Sequence, residues 1–205
     1  MLRLIDRRNI EEFPDLVRSM HRDRKRLFVD IFRWDLSHKN GEERDAFDDD
    51  DALYLVLSDD TDRHVASIRF LRTDRPHLLD SVFPELCDAA IPRGPDIREI
   101  TRLCLPLRKR DRIAARNILA RGIIDYAAIA GVTSYTAVCH MAFLSELLSA
   151  GWRCTPLGQP ESINGAPAGA VQIHMDDDTA GLLAENWRCP KAAPRLSNHQ
   201  SELAA

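Results

Sequence analysis

The stretch His64–Leu71, HVASIRFL, decides the predicted fold because its apolar residues recur with the period of a β-strand. Residues 65, 67, 69 and 71 share one face of that strand, and residues 66, 68 and 70 share the other. Arg69 therefore lies in an otherwise apolar strand, where a charged side chain is costly unless it is paired. We expect its partner to be Asp45 or Asp48, in the acidic segment that precedes the strand.

The rest of the chain alternates between segments with strand and helix periodicity. Leu53–Leu57 precedes the opening stretch across the turn signal Ser58–Asp62, which predicts an antiparallel hairpin. Further strands are predicted over residues 96–107, 134–139 and 168–174, and helices after an N-cap at Asn9 and over residues 112–130, 142–150 and 178–187. This order is typical of an α/β protein of the α+β or three-layer α/β/α type. Residues 35–51 are polar and lack periodicity, which predicts a loop that orders with its ligand.

The length of 205 residues suits one domain, which we place at residues 1–187, followed by a flexible tail over residues 188–205. The formal net charge of −4 gives the chain no overall attraction to nucleic acid. The charge is uneven, with an acidic segment at residues 42–51 and a basic one at residues 108–121. Local patches are therefore expected to select the partners.

The N-terminal residues, MLRLIDRR, lack the apolar core of a signal peptide, and no segment is long and apolar enough to span a bilayer. The five cysteines form no C-x-x-C pair, which is typical of free thiols in a reducing compartment. We therefore expect a soluble cytoplasmic protein without a membrane partner. The acidic segment lacks the D-x-D-x-D-G order of a calcium loop, and no metal site is predicted.

Polar and aromatic residues recur in short blocks through the first half of the chain, in the order Arg24, Phe28, Trp34, Glu43, Asp45, Asp48, Arg69, Phe83-Pro84, Glu99 and Arg102. In this order they resemble the acyl-homoserine-lactone synthases, the autoinducer synthases of bacterial quorum sensing. Residues 65–73 take part in the resemblance, which continues more weakly through Gly151-Trp152 and Leu157-Gly158 to about Met175. It thus covers most of the chain.

The resemblance implies a fold, a reaction and partners. The fold is the acyltransferase fold shared with the N-acetyltransferases, with a mixed, mainly antiparallel central sheet and a V-shaped cleft. The reaction joins the amine of S-adenosylmethionine to an acyl group carried as a thioester on acyl carrier protein or coenzyme A, then closes the lactone and releases methylthioadenosine. S-adenosylmethionine is thus a substrate, and no cofactor is implied. Two alternatives stay open: an N-acyltransferase that uses acyl-coenzyme A, and a catalytically silent relative that acts as a binding or regulatory module.

The family's S-adenosylmethionine site corresponds here to Arg24, Phe28, Trp34, Asp45 and Asp48. An aromatic face attracts a sulfonium as it attracts an ammonium, which suits Phe28 and Trp34, although both could instead pack the core or a lid. Arg24 has two candidate roles, either clamping the substrate carboxylate or pairing with Asp45 or Asp48 to order their loop.

Glu99 lies in the middle of a predicted strand, which is an expensive place for an ion. It is the candidate general base for the attacking amine, and the alternative is a structural salt bridge with Arg98 or Arg102. The resemblance adds Asp45, Arg69 and Arg102 as catalytic residues. Because their separation is odd, Glu99 and Arg102 point to opposite faces of a regular strand, so a bulge or bend is needed if both line the cleft.

The junction after this strand, residues 108–112, reads RKRDR and has no glycine. Ordinary N-acetyltransferases place a glycine-rich loop there, whose backbone N–H groups hold the pyrophosphate of coenzyme A. The missing loop favours a docking surface for an acidic carrier protein, formed by Arg108, Lys109, Arg110 and Arg112. A solvated basic start to the following helix is the alternative.

Thr136, Val138 and Met141 fall where the family lines its acyl-chain pocket, although apolar residues on a strand are more often simple core. The Thr136 hydroxyl suits a hydrogen bond to a 3-oxo group. Cys139 and His140 lack triad partners at recognisable positions, so covalent catalysis through them is not expected.

Overall fold

The computed structural model describes residues 1–106 and 108–190, with only the backbone of Lys109. The strands within those residues are β1 (Leu2–Ile5), β2 (His38–Lys39), β3 (Glu42–Glu43), β4 (Leu53–Ser58), β5 (His64–Arg72), β6 (Ile97–Cys104), β7 (Ser134–His140), β8 (Cys154–Pro156), β9 (Glu161–Ile163) and β10 (Ala166–His174). The helices are α1 (Pro14–Arg24), α2 (Leu78–Val82), α3 (Lys109–Ala130), α4 (Met141–Ala150) and α5 (Thr179–Asn186), with a π-helix at Lys25–Ile31 and 3₁₀ turns at Ile10–Glu12 and Pro84–Leu86. None of these helices is long and apolar enough to cross a membrane.

The described residues group into two compact units. The first unit comprises Met1–Phe70 and Arg102–Gly122, and the second comprises Leu71–Thr101 and the described residues from Ile123 onward. Strand β6 and helix α3 contribute residues to both.

The first unit is built on an antiparallel group of strands. Strand β4 pairs with β1 on one side and with β5 on the other, which confirms the predicted hairpin. Helix α1 buries Val17 and Met20 in one cluster with Tyr54 and Val56 of β4. The apolar positions of α1 thus meet one face of the strands, as their helical spacing predicts.

Helix α3 approaches the first unit's strands closely at Gly122. A Cβ atom at this position would lie 2.8 Å from side-chain carbons of both Leu2 and Leu55. That distance is well inside van der Waals contact, so a larger residue would force the buried side chains of Leu2 and Leu55 to move.

The second unit contains both strand orientations. Strand β6 runs parallel to β7, and α3 makes the crossover that parallel strands require. Strand β10 pairs antiparallel with β7, β8 and β9. The pairing is therefore mixed and mainly antiparallel, which confirms the predicted fold class.

The N-terminal helix begins later than predicted. Asn9 precedes the 3₁₀ turn Ile10–Glu12, but its side chain makes no capping hydrogen bond to that turn, because it accepts from the backbone N–H of Asp6 and donates to the carbonyl of Leu4. Helix α1 starts instead at Pro14, whose fixed φ suits the first helical position.

The predicted loop over residues 35–51 contains a small hairpin, β2–β3. Its turn is Asn40-Gly41, with φ of 54° and 79°. Positive φ at both positions is what a two-residue hairpin turn requires, and Asn-Gly is its usual sequence. The Asn-Gly pair was the signal for this hairpin. Residues 191–205, which include most of the predicted tail, lie outside the described part of the chain.

Candidate active site

Three guanidinium groups and three carboxylates of the first unit form a closed ring in which the two charges alternate. Each arginine bridges two carboxylates, and each carboxylate is held by two arginines. The members, in order round the ring, are Arg24, Glu43, Arg102, Asp45, Arg69 and Asp48. We call this arrangement the ion ring, and its charges sum to zero.

Arg24 joins Glu43 to Asp48 from the end of α1. Its Nε donates to Glu43 Oε2 at 2.6 Å, and its two Nη atoms donate to the two oxygens of Asp48, each at 2.8 Å. Of the two roles considered for Arg24, pairing with the acidic segment is the one that the structure displays. The fork–fork geometry with Asp48 is the strong, bidentate form of this interaction.

Arg69 and Arg102 complete the ring. Arg69 donates to both oxygens of Asp45, at 2.6 and 3.0 Å, and its Nη1 lies 2.8 Å from Asp48 Oδ1. The prediction that Arg69 pairs with Asp45 or Asp48 is therefore confirmed for both. Arg102 donates from Nε to Glu43 Oε1 at 3.1 Å and from Nη2 to Asp45 Oδ2 at 2.6 Å.

The ring keeps its two aspartates ionised. Burial by itself would raise the pKa of Asp48, but the hydrogen bonds and charges of Arg24 and Arg69 outweigh it and hold that pKa far below its usual range. The pKa of Asp45 is also lowered, because Arg69 and Arg102 overcome the effect of burial.

Exposure divides the ring into an inner and an outer part. The side chains of Arg24, Asp48, Glu43 and Arg69 are at most 1% exposed. Those of Asp45 and Arg102 are 18% and 8% exposed. These two are the ring members that present surface to a ligand.

His21 and Tyr54 contact the ring members Glu43 and Asp48, and the sequence analysis assigned neither residue a role. The His21 Nδ1 lies 2.9 Å from the backbone carbonyl of Glu43, and the imidazole meets Tyr54 edge-on at 6.0 Å. The Tyr54 hydroxyl donates to Asp48 at 2.9 Å. Burial, helped by the charge of Arg24, lowers the pKa of His21 from 6.5 to about 4, so this imidazole is neutral at physiological pH.

Three aromatic rings, those of Phe28, Phe32 and Trp34, lie together; we call them the aromatic cluster. The rings of Phe28 and Trp34 stack, with centroids 5.2 Å apart and planes at 8°. The Phe32 ring contacts both, at tilts of 54° and 48°. The Arg102 guanidinium lies 5.9 Å from the Phe28 ring. Arg102 thus belongs to the ion ring and also contacts the aromatic cluster.

The π-helix at Lys25–Ile31 sets the spacing of these aromatics. Beyond it, the N–H of Phe32 donates to the carbonyl of Leu27, and the N–H of Trp34 reaches back to Phe28. Arg33 between them adopts a left-handed φ of 60°. A π-helix is rare and is frequently found at functional sites, and an ordinary helical pattern does not predict it.

Strand β6 departs from regular strand geometry at Arg102, near the place where a bend is needed if Glu99 and Arg102 are both to line the cleft. Arg102 has a φ of 52°, a left-handed conformation that is uncommon outside glycine. Strict alternation therefore stops at this residue, and the odd separation from Glu99 no longer fixes opposite directions.

A polar row crosses the second unit's strands. Glu99 is paired with Thr136 of β7, and Thr136 with Gln172 of β10, so the three side chains share one face. Glu99 and Thr136 are fully buried. The Thr136 hydroxyl makes no hydrogen bond with any described residue.

Val138 lies two residues beyond Thr136 on the same face and packs against the buried Leu79 and Leu86. Met141 lies at the first position of α4 rather than on the strand. Burial raises the pKa of the Cys139 thiol to about 12, which keeps it protonated and agrees with its exclusion as a nucleophile.

The predicted carrier-docking residues lie at the start of α3. Arg108, Arg110 and Arg112 are exposed. The side chain of Lys109 lies outside the described part of the chain. The exposed arginines are compatible with both the docking surface and the solvated helix start.

The chain is similar to proteins of one known family, both in sequence and in structure. Residues 9–182 match the family described as Autoinducer synthase. An acyl-homoserine-lactone synthase of Agrobacterium fabrum is 28% identical over 174 residues, 81% of this chain and 82% of the relative. The structure of a CoA-dependent acyl-homoserine lactone synthase, BjaI, with SAM and isopentyl-CoA is 27% identical, with a TM-score of 0.85 over 96% of this chain and 95% of that one. A protein of Lactobacillus plantarum, provisionally assigned as an N-acetyltransferase, shares the fold at 16% identity and a TM-score of 0.54 over 85% and 99% of the two chains.

Replacing Asp48 by Asn should lower the free energy of unfolding by about 3–5 kcal/mol, because breaking a buried ion pair leaves uncompensated charge. Urea unfolding followed by circular dichroism measures the change. Asp50→Asn, an exposed residue of the same segment, is the matched control and should change stability by less than about 0.5 kcal/mol. Equal effects of the two substitutions would show that the ion ring does not stabilise the fold.

His21 should make stability depend on pH between about 4 and 6.5. In this window the unfolded chain binds a proton at His21 and the folded chain does not, so stability rises with pH and is lost as pH falls. The pKa difference corresponds to about 3 kcal/mol across the window. His21→Asn keeps a donor for the Glu43 carbonyl but cannot titrate, so its unfolding free energy should be flatter between pH 4.5 and 6.5, as urea titrations at each pH would measure. A slope equal to that of the wild type would exclude His21 as its source.

Proposed function

The chain belongs to the autoinducer synthase family, and on that premise we propose how its side chains make an acyl-homoserine lactone. It is an acyltransferase of the acyl-homoserine-lactone synthase type, and S-adenosylmethionine is its substrate. The substrate amine attacks the carbonyl of an acyl thioester and expels the thiol. The substrate carboxylate then attacks the carbon beside the sulfonium, which closes the lactone and releases methylthioadenosine. We propose that this occurs in the cytoplasm.

One observation carries the proposal: Arg102 is a member of the ion ring and also contacts Phe28 of the aromatic cluster. A ligand held at this point meets the outer carboxylate Asp45, the outer cation Arg102 and the aromatic faces of Phe28 and Trp34. S-adenosylmethionine has matching groups, namely an amine, a carboxylate and a sulfonium. The aromatic cluster would bind the sulfonium through cation–π attraction, and Asp45 and Arg102 would bind the amine and the carboxylate.

The inner ring residues serve this site by positioning. Arg24, Asp48 and Arg69 are buried and bonded to each other or to the outer members. They hold the acidic segment and Arg102 in place before the substrate arrives. Such preorganisation matters for lactone closure, where the carboxylate and the reacting carbon must be folded together.

Glu99 is the proposed general base. Its support is its place, a fully buried carboxylate in the middle of β6 beside Thr136. It would accept the amine proton directly or through one water. Thr136, Val138 and Met141 are the proposed lining of the acyl-chain pocket, with the apolar cluster around Leu79 beyond Val138.

The acyl donor is proposed to dock at the basic start of α3. An acidic carrier protein is the first candidate, because Arg108, Arg110 and Arg112 are exposed and the junction lacks glycine. Coenzyme A is the second candidate, because the similar BjaI structure is described as CoA-dependent.

Glu99→Gln should fold normally and lose turnover by about 10²- to 10⁴-fold, the usual worth of a general base. The assay is mass spectrometry of lactone and methylthioadenosine formed by purified protein from S-adenosylmethionine and an acyl thioester. Glu85→Gln, an exposed carboxylate of the same unit, is the control and should retain full turnover. Normal turnover of a folded Glu99→Gln protein would remove Glu99 from the base role. A wild-type protein that folds but forms no lactone with any donor would favour the silent relative.

Charge reversal at Arg110 and Arg112 should separate the donors. With a carrier-bound acyl thioester, kcat/KM should fall steeply and the remaining rate should lose its salt dependence, because exposed charges act on encounter and are screened over about 10 Å at 0.1 M salt. A small acyl thioester without a carrier should react as with the wild type. Arg7→Glu, an exposed charge at the N-terminus, is the control. Unchanged carrier-dependent rates, with efficient use of acyl-coenzyme A, would favour coenzyme A and a solvated helix start.

A further inference from the structure

Polar side chains of the second unit continue from Glu99 to the last strand of the sheet. Glu99 of β6 is paired with Thr136 of β7, which is paired with Gln172 of β10. Gln172 is paired in turn with Thr155 of β8, where the strand order ends. Residues paired in this way share one face, and neighbouring strands lie about 4.8 Å apart. We call these four residues the polar row.

Exposure to solvent rises along the polar row. Glu99 and Thr136 are fully buried, whereas Gln172 is half-buried. Thr155, at the other end, is exposed, so the row joins a buried carboxylate to the surface. We infer that the polar row carries the proton accepted by Glu99 to solvent at β8. The inference rests on the proposed function, in which Glu99 is the general base.

The proposed reaction leaves one proton that its products do not keep. An α-amino group has a pKa of about 7.7–8.0, so the substrate amine arrives mainly as an ammonium at neutral pH. Of its three N–H protons, the product amide keeps one, and the leaving thiolate takes one when the C–N bond forms and the thioester C–S bond breaks. Lactone closure exchanges a C–S bond for a C–O bond and moves no proton. The remaining proton passes to the Glu99 carboxylate and has to reach solvent before the next turnover.

Thr136 is suited to hold a water at the buried end of the row. Its hydroxyl is fully buried and finds no hydrogen-bond partner in the part of the chain that the structure describes. A buried polar group without a protein partner is usually satisfied by an ordered water. A hydroxyl has one donor and two acceptor positions, so Thr136 accepts from this water and still donates to an acyl oxygen. The register places such a water between Glu99 and Gln172.

Two hydrogen bonds fix the outer half of the row. Gln172 Nε2 donates to Ser134 Oγ at 2.8 Å, which orients the amide and leaves its Oε1 as the acceptor for a water. Thr155 Oγ1 lies 2.8 Å from Nε2 of the half-buried His174. An imidazole is a side chain suited to passing a proton between water on its inner side and solvent on its outer side.

Transfer along the row returns Glu99 to its ionised form. The carboxyl proton passes to the water at Thr136, which releases one of its own protons to the next water at Gln172. That water releases a proton to His174, which gives it to solvent. The waters carry the proton, because the amide of Gln172 binds water but does not readily release a proton. Gln172 is therefore a positioning residue for the proton transfer.

Gln172→Met tests the middle of the row, because it keeps the length of the side chain and removes its polar atoms. With an unsubstituted acyl thioester, kcat should fall about tenfold, less than the 10²- to 10⁴-fold worth of the base itself, because Glu99 remains. KM for both substrates should be unchanged. Added imidazole should restore kcat, and D₂O should lower kcat more in this variant than in the wild type. Gln159→Met, at an exposed glutamine of the same unit, is the matched control and should keep the wild-type kcat.

His174→Gln tests the outer end without altering a fully buried residue. It keeps a hydrogen bond to Thr155 but cannot carry a proton, so kcat should fall at low buffer concentration and return with imidazole. Wild-type kcat in Gln172→Met, or a loss that neither imidazole restores nor D₂O enlarges, would show that the inference is wrong. A raised KM for the acyl thioester with unchanged kcat would also overturn it and assign Gln172 to the acyl pocket. If Gln172→Met does not fold, His174→Gln decides by the same criteria.

Infrared spectroscopy after a pH jump separates this inference from the proposed function, because it needs no turnover. The carboxyl band of Glu99, identified by its loss in Glu99→Gln, should relax more slowly in Gln172→Met than in the wild type. A wild-type protein that forms no lactone but shows this difference would refute the proposed function alone. Equal relaxation rates, with lactone formed by the wild type, would refute the proton path alone.

Discussion

The first unit depends on an ion ring that is closed on itself. Moving six charged groups out of water is costly, and single buried pairs often fail to recover that cost. Closure changes the balance, since every carboxylate faces two guanidinium groups and every guanidinium faces two carboxylates. No member is left with a single partner, and the group is neutral as a whole. Each buried charge is thereby compensated by two partners. Removal of any one member leaves its two neighbours in the ring with a single partner each.

The ring also explains how an Asp-rich segment becomes ordered. Arg24 comes from α1, Arg69 from β5 and Arg102 from β6, and all three converge on residues 43–48. A polar segment with little apolar surface to bury is fixed by charge instead. The neutral His21 adds to this from behind, because a second positive charge beside Arg24 would oppose the ring.

Residue-level chemistry predicted that Arg69 pairs with the acidic segment and offered the same role for Arg24, while the pairs made by Glu43 and Arg102 and the closure of the ring lay beyond it. Arg69 in an apolar strand demanded a partner, and the acidic segment supplied it. Tyr54 looks ordinary in sequence, and Glu43 belongs to the blocks of the resemblance but had no predicted partner. Their roles arise from where β4 and the β2–β3 hairpin place them. The π-helix before Trp34 obeys no helical period, and the left-handed Arg102 carries no glycine or asparagine signal. The local sequence pattern predicts the helices and strands. The side-chain contacts of the site depend in addition on how those elements pack together.

Arg102 belongs to the ion ring and also contacts the aromatic cluster. This makes it difficult to separate a catalytic role of a ring residue from a positioning role. A substitution in the inner ring would release Arg102 and the acidic segment together, so lost activity would report lost positioning as readily as lost catalysis. The same holds for Asp45, whose oxygens serve Arg69 and Arg102. Glu99 belongs to the other unit and is no member of the ring. Replacing Glu99 by Gln therefore removes none of the hydrogen bonds that form the ring. Of the proposed steps, the proton transfer is for that reason the one that a single substitution tests most directly.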